Sequence, residues 1–249
     1  MIRQVKFTVS SRNILPSWNF YSKLKKQFEM LNLGEFKDIY SVFGSVKEYT
    51  PLYGGRLFEP SHCLSYSLIN RLRRKGINMA LALSNHYFSE EGYKISIPIL
   101  EKLEKEGNSV IITNDELAKR IRIDFPLFKL QASVIKCLEN IDDINRTLEL
   151  YDYVTLLPKL NDNEELLQSI TEKERIILFA SAGCTYYCQP KECFETVSKM
   201  IVEDSKDKGA WCKFRNDPVF KKRTVFNLKE ERFKGFNYFK VVSFNKRIA

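Results

Sequence analysis

The stretch "IPILEKLEKEGNSVIITNDELAKRI", residues 97–121, decides the fold. Ile97–Asn108 has the apolar spacing of an amphipathic helix and closes on Gly107, a residue suited to the left-handed backbone that ends helices. Ser109–Thr113, "SVIIT", is a short continuous apolar run, the pattern of a strand buried on both faces. Asn114 and Asp115 carry side-chain oxygens that can accept from the first unpaired N–H groups of a helix, so Asn114–Phe125 is predicted as the next helix. A helix, a fully buried strand and a second helix in direct succession imply a parallel sheet with helical crossovers.

The same alternation runs outward in both directions. Upstream, strands are expected at Gln4–Ser11, Phe36–Val46 and Ile77–Asn85, with helices at Asn19–Leu31 and Ser67–Gly76. Downstream, strands are expected at Leu127–Ile135, Tyr153–Pro158 and Arg175–Ser181, and Asn237–Phe244 offers an eighth. Helices are expected at Ile144–Asp152 and Asn161–Ile170. Eight buried strands with helical connections predict an α/β fold, a TIM-like (β/α)8 barrel with outer helices. An open doubly wound sheet is the alternative. Against it, "SSRNILPS" follows the first strand where a glycine-rich phosphate loop would stand. With no repeat or linker, one domain over 1–249 is expected. No apolar run approaches the roughly 20 residues needed to span a bilayer, and the N-terminus lacks a signal-peptide core, so a cytoplasmic protein without membrane contact is the expectation.

In such a barrel the working face lies at the C-terminal ends of the strands. The sequence places Ser10, Ser11, Gly44, Tyr53–Arg56, Asn85, His86, Asn114, Asp115, Gln131, Ser133, Lys159, Asn161, Ser181 and Cys184 there. Arg56, Asn85, Asp115, Lys159 and Asn161 are the candidate substrate-binding residues. Arg56 follows two glycines, and its planar guanidinium matches carboxylate or phosphate. Surface exposure, for Arg56, and helix capping, around Asn161, are the plainer roles. Only two histidines occur, His62 and His86, and no G-x-S-x-G or H-E-x-x-H motif is present, which argues against a histidine-based hydrolase.

Three of the six cysteines, Cys184, Cys188 and Cys193, fall within ten residues after the seventh expected strand. In a reducing compartment clustered thiols point to metal or redox chemistry before disulfides. With Cys212 as fourth ligand, or Cys63 in its place, they form a candidate site for an iron–sulfur cluster, with zinc as the alternative. Unligated thiols are the plainer reading, and Cys137 is expected to be a packing residue. The net charge is +9, and the segment 213–249 carries eleven Lys or Arg against three Asp or Glu, with eight aromatic residues. Such interleaving suits RNA through phosphate contact and base stacking. A solvated barrel helix over an aromatic core is the plainer reading, since the aromatics are spaced as core residues would be.

The succession "SVIITNDELAKRI", "FPLFKLQASV", "DYVTLLPKLND" and "LFASAGCTYYCQPKEC" resembles the collagenase-related peptidase family U32, in which a strand running straight into a cysteine follows two others of this kind. The closing "FKGFNYFKVVSFNKR" is similar to that family's late strand. The resemblance covers Tyr53 to Arg247. It implies a TIM-like barrel, a four-cysteine 4Fe–4S cluster on Cys184, Cys193, Cys188 and Cys212, and oxygen-independent hydroxylation of RNA or of a small aromatic precursor. The closer cysteine spacing, the absence of the acidic residue that precedes the family's F-x-H-G element, where "IILFASAG" stands here, and the missing extra C-terminal domain of long members mark a short, divergent member. A non-catalytic barrel binding a partner or small ligand, and a peptidase, are the alternative functions.

Overall fold

The computed structural model describes residues 5–11, 20–30, 38–55, 58, 60–188, 191–203, 212, 217–218 and 222–242. Eight parallel strands close into a ring: β1 (Lys6–Ser10), β2 (Ile39–Gly44), β3 (Asn78–Leu83), β4 (Ser109–Ile112), β5 (Lys129–Ala132), β6 (Tyr153–Thr155), β7 (Ile176–Ala182) and β9 (Tyr238–Val241). Each strand pairs with the next in sequence, and β9 joins β7 to β1. The short β8 (Thr224–Val225) lies antiparallel on the end of β7, outside the ring. The fold is the expected TIM-like (β/α)8 barrel. Strands β4, β7 and β9 are buried at every position, as a sheet covered by helices on one side and filled on the other must be.

The helices are α1 (Phe20–Met30), α2 (Tyr66–Arg73), α3 (Glu90–Leu103), α4 (Asp115–Asp124), α5 (Ile141–Leu150), α6 (Glu164–Ser169), α7 (Cys184–Tyr187) and α8 (Lys191–Val202). Five of them begin alike. Ser65, Ser89, Asn114, Asn140 and Asn163 each accept a backbone N–H from three residues on. Gly76 and Gly107, the expected helix stops, adopt φ of +75° and +88°.

Most boundaries shift by one to three residues, and three differences have a local cause. The helix expected at Ile97 starts at Glu90, because Ser89 caps it and two glutamates occupy its first turn. The strand expected through Ile135 ends at Ala132, where Ser133 opens a short 3-10 turn. The cysteine segment expected to be an irregular loop is helical: Cys184 opens α7, Cys188 closes it, and Cys193 lies in α8.

At the N-terminal end of the barrel, Asp152 ties three elements together. Its carboxylate accepts from Arg122 (2.7 Å), Lys129 (3.0 Å) and the backbone N–H of Leu130 (2.9 Å). Burial disfavours its charge, but these three donors outweigh burial and hold the carboxyl below its ordinary range. Asp152→Asn is expected to cost about 2 kcal/mol at neutral pH, the usual worth of charge-assisted hydrogen bonds. A folded-state pKa below the unfolded one gives stability that is complete at neutral pH and lost as the pH falls through the folded value, below about pH 4. Urea midpoints of the two proteins are therefore expected to converge between pH 7 and pH 3. An undiminished gap at pH 3 would show that the charge is not what Asp152 contributes.

Candidate active site

Alternate residues of the strands turn into the barrel. The lower ones satisfy one another: Ser41 Oγ donates to Thr8 Oγ1 (2.8 Å), and Gln131 Nε2 donates to Ser109 Oγ (2.7 Å). Tyr238 OH lies 3.3 Å from Ser41 Oγ in the same layer. Two residues further along these strands stand Ser10, Phe43 and Lys240. With Ala82, Ile111, Ser133 and Phe179 they form the floor of a cavity of about 420 Å³ at the C-terminal face. This is where barrel enzymes work. Its wall comes from the connection after β2 (Ser45, Tyr53–Gly55, Phe58, His62, Cys63), from Gly183–Thr185, and from Phe194 on α8. Pairing of β8 with Ser181 and Ala182 carries Arg223 to the mouth, against Gly183.

Lys240 decides the electrostatics of this cavity. Its side chain is 6% exposed, and its Nζ sits 4.2 Å from the centroid of the Phe43 ring. Among the described residues its ammonium has no hydrogen-bond or ion-pair partner, and burial alone pushes it down to about 8. No Asp or Glu lines the cavity among the described residues. Two basic side chains, several hydroxyls and phenyl rings line it, and none of its described lining residues is acidic.

The sequence placed Ser10, Ser11, Gly44, Tyr53–Gly55, Ser133 and Cys184 at this face, and all of them line the cavity. Arg56 lies outside the described residues. The other four candidate binding residues are engaged elsewhere. Asn85 Nδ2 donates to the carbonyls of Pro51, Tyr53 and Ser198. Asp115 accepts from Lys136 Nζ and Tyr151 OH, both at 2.8 Å; burial opposes its charge, but these bonds prevail and lower its pKa. Lys159 pairs with Glu139 at 2.7 Å. Asn161 is fully buried and donates to the carbonyl of Phe179 (2.7 Å), while its Oδ1 finds no partner among the described residues. Lys240 and Arg223 were missed. Lys240 stands two residues from Tyr238 on a strand buried at every position, where the sequence does not show which residues turn inward.

No disulfide joins any of the six cysteines. Cys184 and Cys63 line the cavity, Cys188 caps α7, Cys193 is half-buried on α8, and Cys212 is half-buried. Cys137 packs beside the core at the end of a 3-10 turn, where burial pushes its thiol up. Among the described residues, no group of three or more His, Cys, Asp or Glu side chains is arranged to hold a metal ion. In the basic segment 213–249, the described aromatics Phe226, Phe233, Phe236, Tyr238 and Phe239 are all buried in the core. No helix among the described residues is long and apolar enough to cross a membrane.

No protein-family model matches the sequence, and no curated protein matches it. Among solved structures, a U32 peptidase matches with a TM-score of 0.60 and 13% identity, over 96% of this chain and 93% of that one. A chitinase from Chromobacterium violaceum matches over 71% and 69%, at 12% identity and a TM-score of 0.39. At 13% identity the first likeness is one of fold: this chain has the closed barrel of a U32 peptidase across nearly its whole length. That is the family its strand succession resembles.

Proposed function

We propose that this chain is a U32-type barrel enzyme whose substrate is a small anion with an aromatic or apolar body, bound in the cavity at the C-terminal face. The observation that carries the reading is the cavity's charge: Lys240 and Arg223 line it, and no carboxylate does among the described residues. An anionic group gains from a desolvated cation far more than it would in water. Phe43, Phe58, Phe179 and Phe194 offer the apolar contact that a ring would fill. Of the two substrate classes that the family resemblance implies, RNA and a small aromatic precursor, this favours the second. The five described aromatics of the basic segment are committed to the core and leave no stacking platform of their own.

Thermal unfolding in the presence of 3-phenyllactate and of its neutral amide tests the reading. The carboxylate is expected to raise Tm and the amide to leave it unchanged. Equal effects from both, or none from either, would overturn it. A cluster at the cavity mouth is the second reading, favoured by the presence of both Cys184 and Cys63 on the wall. Iron and sulfide analysis of protein purified without oxygen decides it: about four irons per chain would establish a cluster, and none would remove it.

A further inference from the structure

We infer that Lys240 is a covalent amine catalyst, forming an imine with the carbonyl carbon of a 2-oxo acid bound in the cavity. This rests on the proposed reading of the cavity as a site for small anions and names the substrate class and the reacting atom.

The argument begins with position. Lys240 lies on β9 between Thr8 of β1 and Phe179 of β7 in register, so it is held by backbone pairing on both sides. Tyr238, two residues earlier, faces the same way and is anchored in the barrel interior near Ser41 and Gln131. The lysine therefore projects from a rigid wall into the cavity, not from a loop. A nucleophilic amine needs such a fixed approach to a carbonyl carbon.

The second element is its surroundings. A buried lysine that serves structure is ordinarily paired, because burying an isolated ammonium is costly. Lys240 has the ring of Phe43 beside it, and no described residue lining its cavity is a carboxylate. Burial lowers its pKa to about 8. At neutral pH roughly a tenth of the amine is then neutral, against less than about one in a thousand for an ordinary lysine. That is the condition under which lysine acts as a nucleophile. Arg223, whose Nη1 donates to the carbonyl of Lys222 (2.8 Å), lines the mouth and adds positive charge on the side from which the carboxylate of a 2-oxo acid enters.

The step balances without a co-reactant. The neutral Nζ lone pair forms the N–C bond, and the carbonyl π pair moves to oxygen. Both amine hydrogens leave with that oxygen as water, giving the imine, and one further proton on nitrogen makes the iminium. Hydrolysis reverses the step and returns free Lys240.

The full chain is incubated with phenylpyruvate and sodium borohydride, which reduces an imine to a stable secondary amine. The expected result is a mass gain equal to the probe less its carbonyl oxygen, mapped by peptide sequencing to Lys240 and lost in Lys240→Met. Lys240→Met is expected to stay folded, since it replaces a buried charge with an apolar chain of similar length. Lys240→Arg keeps the charge and is expected to bind 3-phenyllactate without trapping any adduct. Binding of 3-phenyllactate with no phenylpyruvate adduct would overturn the covalent role and leave the anion site standing. An adduct spread over surface lysines would overturn it also. Failure of both probes to bind would remove the site itself.

Discussion

Asn85→Ala is expected to lower the stability by about 3 kcal/mol and to abolish binding of an anionic probe in the cavity. The Asn85 side chain is 1% exposed. Its Nδ2 donates to the carbonyls of Pro51 and Tyr53 at 3.0 Å and of Ser198 at 3.2 Å, and its Oδ1 accepts from the N–H of Tyr87 at 2.9 Å. One amide has two hydrogens, so the three carbonyls share them. Alanine removes a hydrogen bond from backbone groups of three separate segments, those at Tyr53 and Ser198 being buried, and a buried group left unsatisfied costs about 1–3 kcal/mol. The segments are the turn before the cavity wall at Tyr53–Gly55, the end of β3, and α8. A second link across the same seam joins His86 Nδ1 to Ser198 Oγ at 2.8 Å. Burial holds that imidazole below its ordinary pKa, so it is neutral at physiological pH. Without Asn85, α8 with Phe194 and the wall with Tyr53 lose their common anchor. Urea denaturation and Tm shifts with 3-phenyllactate measure both consequences. A variant within about 0.5 kcal/mol of wild type, the range of ordinary surface changes, would show that the seam is held by other contacts.

Asn85 also shows where the sequence is legible and where it is not. Its place at the end of the third strand was readable from "INMALALSN", and the barrel followed from eight such runs. Its role was not readable, because its partners stand 34 and 113 residues away in the chain. A polar residue at a strand end looks the same in sequence whether it meets a ligand or a distant carbonyl. The same holds for Asp115 and Lys159, which meet Lys136 and Glu139. Helix α8 is a different case. Phe194, Val197, Ser198 and Ile201 are its buried residues, and their spacing of three, four and seven is an ordinary helical stripe. Cys184, Cys188 and Cys193 mask that stripe in the sequence, because their spacing is also that of a ligand group. Lys240 lay within an expected strand, but a strand buried on both faces hides which of its residues turn inward. The alternation is visible only once Tyr238 is known to face the barrel interior.

Gly54→Ala is expected to be as damaging, for a steric reason. A Cβ at Gly54 would lie 2.4 Å from the backbone N of Asn85 and from the carbonyl C and O of Ser84. These atoms belong to the end of β3, which is hydrogen-bonded within the barrel and cannot withdraw. The chain carrying Gly54 must move instead. Asn85 N donates to the carbonyl of Leu52 at 3.0 Å, so that movement also breaks a buried backbone bond. Overpacking of this kind costs about 1–3 kcal/mol, and the lost bond adds to it. Gly44 is the control. A Cβ there would meet only the Ser11 side chain, its hydroxyl at 2.1 Å and its Cβ at 3.2 Å, and no backbone atom, so Gly44→Ala is expected to cost less than Gly54→Ala. Denaturation of the two variants side by side separates the explanations. A large loss at Gly54 with a small one at Gly44 means that the cavity wall is pressed against the barrel backbone. Equal losses would mean that contact with the backbone after β3 does not set the effect at Gly54.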